Sequence, residues 1–258
     1  MDATARRAAI VEILQENSSV KILELSERLN VTRETIRKDL YELEKKDIVT
    51  LVRGGAVLNE EINETDYELR LHRNQHAKSA IADEVMTYIE EGDTVYLDYG
   101  TTSLAVAKKI KRIKNITVVT NSIPIINELY KCDYIRLIVL GGEVRRNEGS
   151  LFGSTGAELL KTLSINVGFF SGSGLTMKFG LVNHHIGEAQ MSRIAADRCQ
   201  RIVVGVEHEK FGSVYLSRIM PVKQMDVLIT DQLTDPQLLE ELQSQTKLVL
   251  VNANRLTD

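Results

Sequence analysis

The chain has only two cysteines, Cys132 and Cys199, in 258 residues, too few and too isolated for a disulfide framework or a zinc site. It has no apolar run approaching the roughly 18 residues that a transmembrane helix needs. Its start, MDATARRAAI, is charged and lacks the apolar stretch of a secretory leader. No internal repeat or low-complexity segment is found. Neither sign of charge is in large excess: 32 Lys and Arg stand against 36 Asp and Glu, a formal net charge of −4. These absences exclude a secreted disulfide scaffold and a membrane-spanning chain, and a cytoplasmic protein with free thiols is expected. What is present is ordinary: 43% apolar and 26% charged residues, enough for one large domain or two smaller ones.

The chain is organised around the stretch Val20–Ala56. Ile36, Leu40 and Leu43 recur at i, i+4 and i+7, which predicts a helix over Thr32–Leu43 with one buried stripe. Thr32 is placed to cap its start. The other face carries Glu34, Thr35, Arg37 and Lys38 with Arg33 at its edge, the side chains that a helix in a major groove presents to phosphates and base edges. A shorter helix, Leu23–Leu29, braces it through Leu25 and Leu29. After Asp47 the run Ile48–Val52 is strand-like, and Arg53-Gly54-Gly55-Ala56 returns it as a wing. Upstream, Thr4–Glu16 is helical with Ile10, Ile13 and Leu14 inward; Arg6 and Arg7 are read as a solvated face.

The segment TIRKDLYELEKKDIVTLVRGGA resembles the winged helix-turn-helix of the DeoR family of bacterial sugar-operon regulators. The resemblance implies operator DNA as a partner, contacted by Thr32, Arg33, Thr35, Arg37, Lys38 and Arg53. Two departures stand out: Arg53 replaces the family's usual His before the paired glycines, and Asp47 stands where Gly is usual. Residues 1–58 hold ten Lys and Arg and ten Asp and Glu, so this unit is no basic arm. Base contacts and pairing of subunits then have to supply much of the affinity.

Three parts follow from composition and pattern: residues 1–58 as the DNA-binding unit, 59–76 as linker and connector, and 77–258 as a second domain. Asn59–Thr65 reads as linker and Asp66–His76 as an extended or helical connector. Helix Ala77–Glu91 opens the second domain. Strands are then expected at Thr94–Leu97, Ile116–Thr120, Ile135–Leu140, Val167–Phe170, Arg201–Val206, Val227–Thr230 and Lys247–Val251. Helices are expected at Ser103–Ile113, Pro124–Tyr130, Glu188–Arg198 and Pro236–Gln243. Short β-branched runs alternating with helices imply an α/β fold with a mostly parallel sheet covered on both faces.

In such sheets ligands collect where strands end. One strand ends in Asp98-Tyr99-Gly100-Thr101-Thr102-Ser103 before a helix, a natural phosphate seat although also an ordinary cap. Others end in Thr120-Asn121-Ser122, in Gly141-Gly142 and in Glu207–Gly212, which brings Lys210. The segments LDYGTTS, VVTNS, VLGGEVRR, FFSGSGL and EHEKFG resemble the signature loops of the DeoR-family effector domain, which is similar in fold to ribose-5-phosphate isomerase and glucosamine-6-phosphate deaminase. The resemblance implies a phosphorylated sugar or polyol effector held by Asp98, Gly100, Thr101, Thr102, Asn121, Ser122, Gly141, Gly142 and Lys210, with no cofactor. Ser171-Gly172-Ser173-Gly174 lacks a carboxylate that relatives carry, Glu207 and Glu209 stand where relatives have Asp and Ser, and Ser192 replaces a frequent Lys. His184, His185 and Glu188 lack a further ligand at workable spacing, so no metal site is expected.

The expectation is a homo-oligomeric transcriptional regulator, dimer or tetramer, repressing a carbohydrate operon until an effector releases it. The alternative is a sugar-phosphate isomerase or deaminase with an accessory N-terminal domain. That reading needs a general base, and Asp98 and Glu188 are the carboxylates left to serve.

Overall fold

Two apolar patterns build two separate cores. A computed structural model describes residues 2–17, 19–45, 48–58, 67–231 and 235–251, and the chain divides into Met1–Gln75 and His76–Asp258. The first unit contains α1 (Ala3–Asn17), β1 (Ser19–Lys21), α2 (Ile22–Arg28), α3 (Arg33–Glu44), β2 (Val49–Val52), β3 (Gly55–Leu58) and α4 (Tyr67–His72). The three expected helices form with ends shifted by a residue. Ile10, Leu14, Leu25, Ile36, Leu40 and Leu43 meet in one core. Thr32 caps α3, its hydroxyl accepting the Thr35 N–H at 3.2 Å, which satisfies one of the free amides of the first turn.

The wing is a three-stranded sheet in the order β1-β3-β2, where the sequence reading had only the ribbon. Arg53 and Gly54 form its two-residue turn, and Gly54 has φ +83°, a conformation that favours glycine. Gly55 answers a different need. A Cβ there would lie 2.1 Å from the Val20 carbonyl oxygen, so only glycine lets β3 pair with β1. Gly55→Ala should therefore cost about 1–3 kcal/mol of overpacking strain, lowering the unfolding transition of the first unit by several degrees. Calorimetry of the whole chain checks this; an unmoved transition would mean that β3 does not lie against Val20.

One further placement differs from the sequence reading. Arg6 is not solvated: its Nε donates to Asp39 Oδ2 at 2.5 Å, with both side chains largely buried. The connector Asp66–His76 is helical from Tyr67, and Leu69 joins the core of the first unit. The expected linker Asn59–Thr65 and the turn at Asp47 lie outside the described residues.

The second unit begins with α5 (Gln75–Val85) and continues through β4 (Thr94–Leu97), α6 (Thr101–Ile110), β5 (Ile116–Thr120), α7 (Ile123–Leu129) and β6 (Ile135–Val139). Next come a hairpin, β7 (Glu143–Arg145) and β8 (Ser150–Phe152), then α8 (Ser154–Lys161) and β9 (Ile165–Phe170). The remainder is β10 (Gly174–Thr176), β11 (Gly180–Asn183), α9 (Ile186–Ala196), β12 (Cys199–Gly205), β13 (Ser217–Met220), β14 (Val227–Thr230), α10 (Pro236–Gln243) and β15 (Lys247–Leu250). The expected parallel sheet forms, seven strands in the order β15-β14-β12-β9-β4-β5-β6. Each neighbouring pair is parallel.

Tyr96, Phe170, Val204 and Leu228 pack with Leu160 of α8 and Met191 and Ala195 of α9. On the opposite side, a Cβ on Gly205 would meet Ile81 of α5 at 2.7 Å and the Phe169 ring at 2.8 Å. The sheet is thus covered on both faces, which is why its strands are near-continuous apolar runs. Helix Ala77–Glu91 is shorter than expected: α5 ends at Val85 and a single 3-10 turn, Met86–Tyr88, follows. Helix Ser103–Ile113 starts two residues earlier, at Thr101, and ends at Ile110. Two small antiparallel sheets, β7-β8 and β10-β11-β13, were not anticipated, because strands of three or four residues carry too little alternation to read.

Candidate functional site

In the first unit α3 turns Arg33, Glu34, Arg37, Lys38, Tyr41 and Lys45 outward, and buries Ile36, Asp39, Leu40 and Leu43. At 100° per residue, Glu34, Lys38, Tyr41 and Lys45 fall on one line. Arg37 lies beside it, 3.6 Å from Glu34. Thr32 and Thr35 sit at the helix start with their hydroxyls 2.9 Å apart, so both are engaged locally. Arg53 is exposed at the wing turn. Glu44 Oε1 accepts the Leu51 N–H at 3.1 Å, tying the wing to the last turn of α3. Tyr41, with the Lys45 ammonium 4.7 Å from its ring centroid, belongs to the same surface. The sequence reading stopped at Lys38 because it followed the basic cluster and not the full helical line.

In the second unit the chain runs β4, β5, β6 towards one edge of the sheet, then returns to β9 on the other side of β4 and continues outward. The order reverses beside β4, and the strand ends at such a reversal are the usual place for a ligand in a sheet of this kind. Gly100, Asn121, Gly141, Ser171 and Glu207 follow the ends of β4, β5, β6, β9 and β12, five neighbouring strands. The parallel sheet therefore gathers the expected residues on one rim.

Their environments differ. Gly100 has φ +103° and no side chain caps α6; a Cβ there would meet only Glu148 Oε1, at 3.7 Å. Gly100 therefore puts no side chain of its own over the first amides of α6, and the nearest group to its Cβ position is the buried Glu148 carboxyl. Thr101, Thr102 and Ser103 are buried, and the hydroxyls of Ser103 and Ser122 have no hydrogen-bond partner among the described residues. Asn121 is turned inward, its Nδ2 donating to the Leu151 carbonyl at 2.9 Å, so it ties β5 to the β7-β8 hairpin. Gly142 is a close-approach residue, since a Cβ would fall 2.2 Å from the Phe152 carbonyl oxygen, whereas Gly141 has nothing within 4 Å of that position.

Asp98 is wholly buried. The Tyr96 hydroxyl lies 3.0 Å from Oδ1 and the Ser192 hydroxyl 2.8 Å from Oδ2. Burial outweighs both contacts and pushes its carboxyl up to about 8. Ser192, which stands where relatives often have Lys, thus faces Asp98 with a neutral group. Burial likewise pushes the Cys199 thiol up to about 12, leaving it inert. Glu188 is also buried, held by Arg145 and Ser150. His185 accepts the Glu188 N–H at 3.3 Å and caps α9, and the His184 ring packs against Tyr215.

Lys210 reaches the rim as expected, and it has company. Its ammonium lies 2.7 Å from Glu207 Oε2 and 3.4 Å from the Ser171 hydroxyl. Lys78 of α5, only 6% exposed, approaches Glu207 Oε1 at 3.8 Å, where Thr102 also donates at 3.2 Å. Burial alone would raise the Glu207 pKa, but Lys210 and Lys78 together pull it down to about 2. Two ammonium groups share the Glu207 carboxylate beside the first turn of α6, and the buried Glu148 carboxyl lies close to Gly100. Lys78 escaped the sequence reading because only the tertiary fold brings α5 to the end of β12; its place inside an apolar stripe was the one signal available.

Comparison with known proteins adds two family matches. The DeoR-like helix-turn-helix domain matches residues 6–62 and the DeoR C terminal sensor domain matches residues 73–232. The HTH-type transcriptional regulator GolR of Listeria innocua is 34% identical over 239 residues, 92% of this chain and 94% of that protein. The regulator IolR of Bacillus subtilis is 29% identical, over 87% of this chain and 89% of that protein. The glycerol-3-phosphate regulon repressor of Escherichia coli is 28% identical, over 90% and 92%. Among solved structures, ribose 5-phosphate isomerase from Plasmodium falciparum aligns with a TM-score of 0.40 at 14% identity, covering 54% of each chain. The Pyrococcus horikoshii translation initiation factor eIF-2B aligns with a TM-score of 0.44 at 16% identity, covering 87% of each.

Proposed function

The chain belongs to the DeoR family of transcriptional regulators, and from that premise we propose that it represses a carbohydrate operon and is released from its operator by a phosphorylated sugar or sugar alcohol. One observation carries the effector class: the uncapped start of α6 at Gly100 stands beside the Lys78–Glu207–Lys210 cluster. Helix amides with two ammonium groups close by suit a phosphate dianion. The relative named as the glycerol-3-phosphate regulon repressor agrees with this class.

A dimer or tetramer would place paired α3 helices on operator half-sites, since one winged unit makes too few contacts for specific affinity at cellular salt. An effector that binds better to the arrangement off DNA would shift the population away from the operator. No described helix is long and apolar enough to cross a membrane, which fits a regulator acting in the cytoplasm. The enzyme reading is disfavoured by the state of its carboxylates. Asp98 is wholly buried with both oxygens engaged by Tyr96 and Ser192, and Glu188 is committed to Arg145 and Ser150. Neither is poised to take a proton from a substrate carbon.

Gel-shift titration on the DNA upstream of its own gene tests the reading. Arg37→Ala should cost about 1–3 kcal/mol on the specific duplex by losing a guanine contact. Lys38→Ala should weaken all duplexes alike. Lys210→Ala and Thr101→Asp should leave DNA binding intact and abolish release by phosphorylated sugars. No specific complex at moderate salt, with or without such ligands, would sink the proposal.

A further inference from the structure

Asp39 is an acidic residue on the buried side of a helix whose other inward residues, Ile36, Leu40 and Leu43, are apolar. Its partner comes from α1, 33 positions earlier in the chain. Arg6 Nε donates to Asp39 Oδ2 at 2.5 Å and Nη2 to Oδ1 at 3.3 Å, a two-point fork, and the side chains are 12% and 6% exposed. A buried ion pair contributes little net stability compared with apolar residues of the same volume. The reason for this one lies in its direction. Contacts of an Ile and Leu stripe are non-directional, so they set which face of α3 is buried but its exact rotation only broadly, whereas a planar guanidinium on a carboxylate fixes both angle and distance.

We propose that the Arg6–Asp39 pair sets the rotation of α3 about its own axis, and with it which of Arg37, Lys38 and Tyr41 reaches a base edge. The inference rests on the DNA-reading role of α3 and names a positioning pair that touches no DNA. The geometry is demanding. Side-chain tips stand roughly 5–6 Å from a helix axis, so a roll of about 20° moves them by about 2 Å. That is more than the tolerance of a hydrogen bond to a base. Phosphate contacts, made by flexible lysine stems to a charge repeated along the duplex, survive such a roll. The pair should therefore govern discrimination between sequences and leave general affinity alone.

The test uses the whole chain and a duplex selected by it from a random pool, with a scrambled duplex as competitor. Two variants are compared with the unaltered chain: Arg6→Met/Asp39→Leu, which replaces the pair by apolar side chains, and Arg6→Lys, which keeps the charge and loses the fork. Both should bind scrambled DNA with unchanged affinity and unchanged salt dependence. The ratio of selected to scrambled affinity should fall at least tenfold in each, with the unfolding temperature of the apolar double variant at or above that of the unaltered chain. An unchanged ratio in a folded variant overturns the proposal, as does an equal loss on both duplexes, which would mark a merely structural pair. A pool from which the unaltered chain selects nothing would overturn the DNA-reading role and this inference with it.

Discussion

Replacing Asp98 by Asn should raise the melting temperature of the second unit at pH 8.5 and flatten its decline between pH 5 and 8. The carboxyl is wholly buried, and its pKa rises from 3.8 to about 8 on folding. The folded chain then holds a proton that the unfolded chain releases above pH 4. Stability from this group is complete below the unfolded pKa and is lost as pH rises through the folded one. Each tenfold step in the proton equilibrium is worth about 1.4 kcal/mol, so ionised Asp98 costs the fold at most about 5–6 kcal/mol.

Hydrogen-bond accounting favours the protonated form independently. Ser192 Oγ lies 3.2 Å from the Glu188 carbonyl, and Tyr96 Oη lies 3.3 Å from Asn121 Oδ1. If Asp98 donates to Ser192, the Ser192 hydroxyl is free to donate to the Glu188 carbonyl, which an ionised Asp98 would leave unserved by that hydroxyl. An amide at position 98 donates to Ser192 in the same way and never ionises. A gain of about 2 kcal/mol at pH 8.5 would appear as about 4–8 °C in a unit of this size. A melting temperature that does not vary with pH in the unaltered chain, together with a loss on substitution at every pH, would show that Asp98 is ionised in the fold.

Glu207→Ala should destabilise the second unit by about 3 kcal/mol, the lower end of the range for breaking a buried pair because Lys210 is partly exposed. The substitution leaves the Lys78 and Lys210 ammonium groups facing each other without their carboxylate. Inorganic phosphate at millimolar concentration should then restore stability more steeply than in the unaltered chain, by up to about 2.7 kcal/mol at 100 times its dissociation constant. Chloride at equal ionic strength should not. Thermal unfolding against phosphate concentration reads this directly. Identical phosphate responses would place the two lysines away from the anion seat. The same cluster gives an acid limit: the Glu207 contribution is present above its ordinary value of 4.5 and is lost as pH falls towards about 2.

The two predictions concern residues with unequal visibility in the sequence. Asp98 and Lys210 were legible because they follow strand-like runs, and a parallel sheet must bring strand ends to one edge. Thr32 was legible because capping is local, and its hydroxyl meets an amide three residues away. The roles of Lys78 and of the Arg6–Asp39 pair were not legible, since each belongs to an interaction between segments far apart in the chain. Arg6 was misread as solvated for that reason; helical spacing tells which residues share a face and nothing about which face meets a partner.

Sequence by itself determined the α/β class, the helix-turn-helix with its glycine wing, and the set of loops at the rim, because these depend on periodicity, caps and turns that act over a few residues. Tertiary structure alone decided the state of the rim. It made Asp98 a buried acid instead of an exposed charge, turned Asn121 inward as a tie between strands, and set two lysines on Glu207. Burial and opposing charge move a pKa or orient a side chain only when distant segments close around it, and that closure is a property of the packed chain.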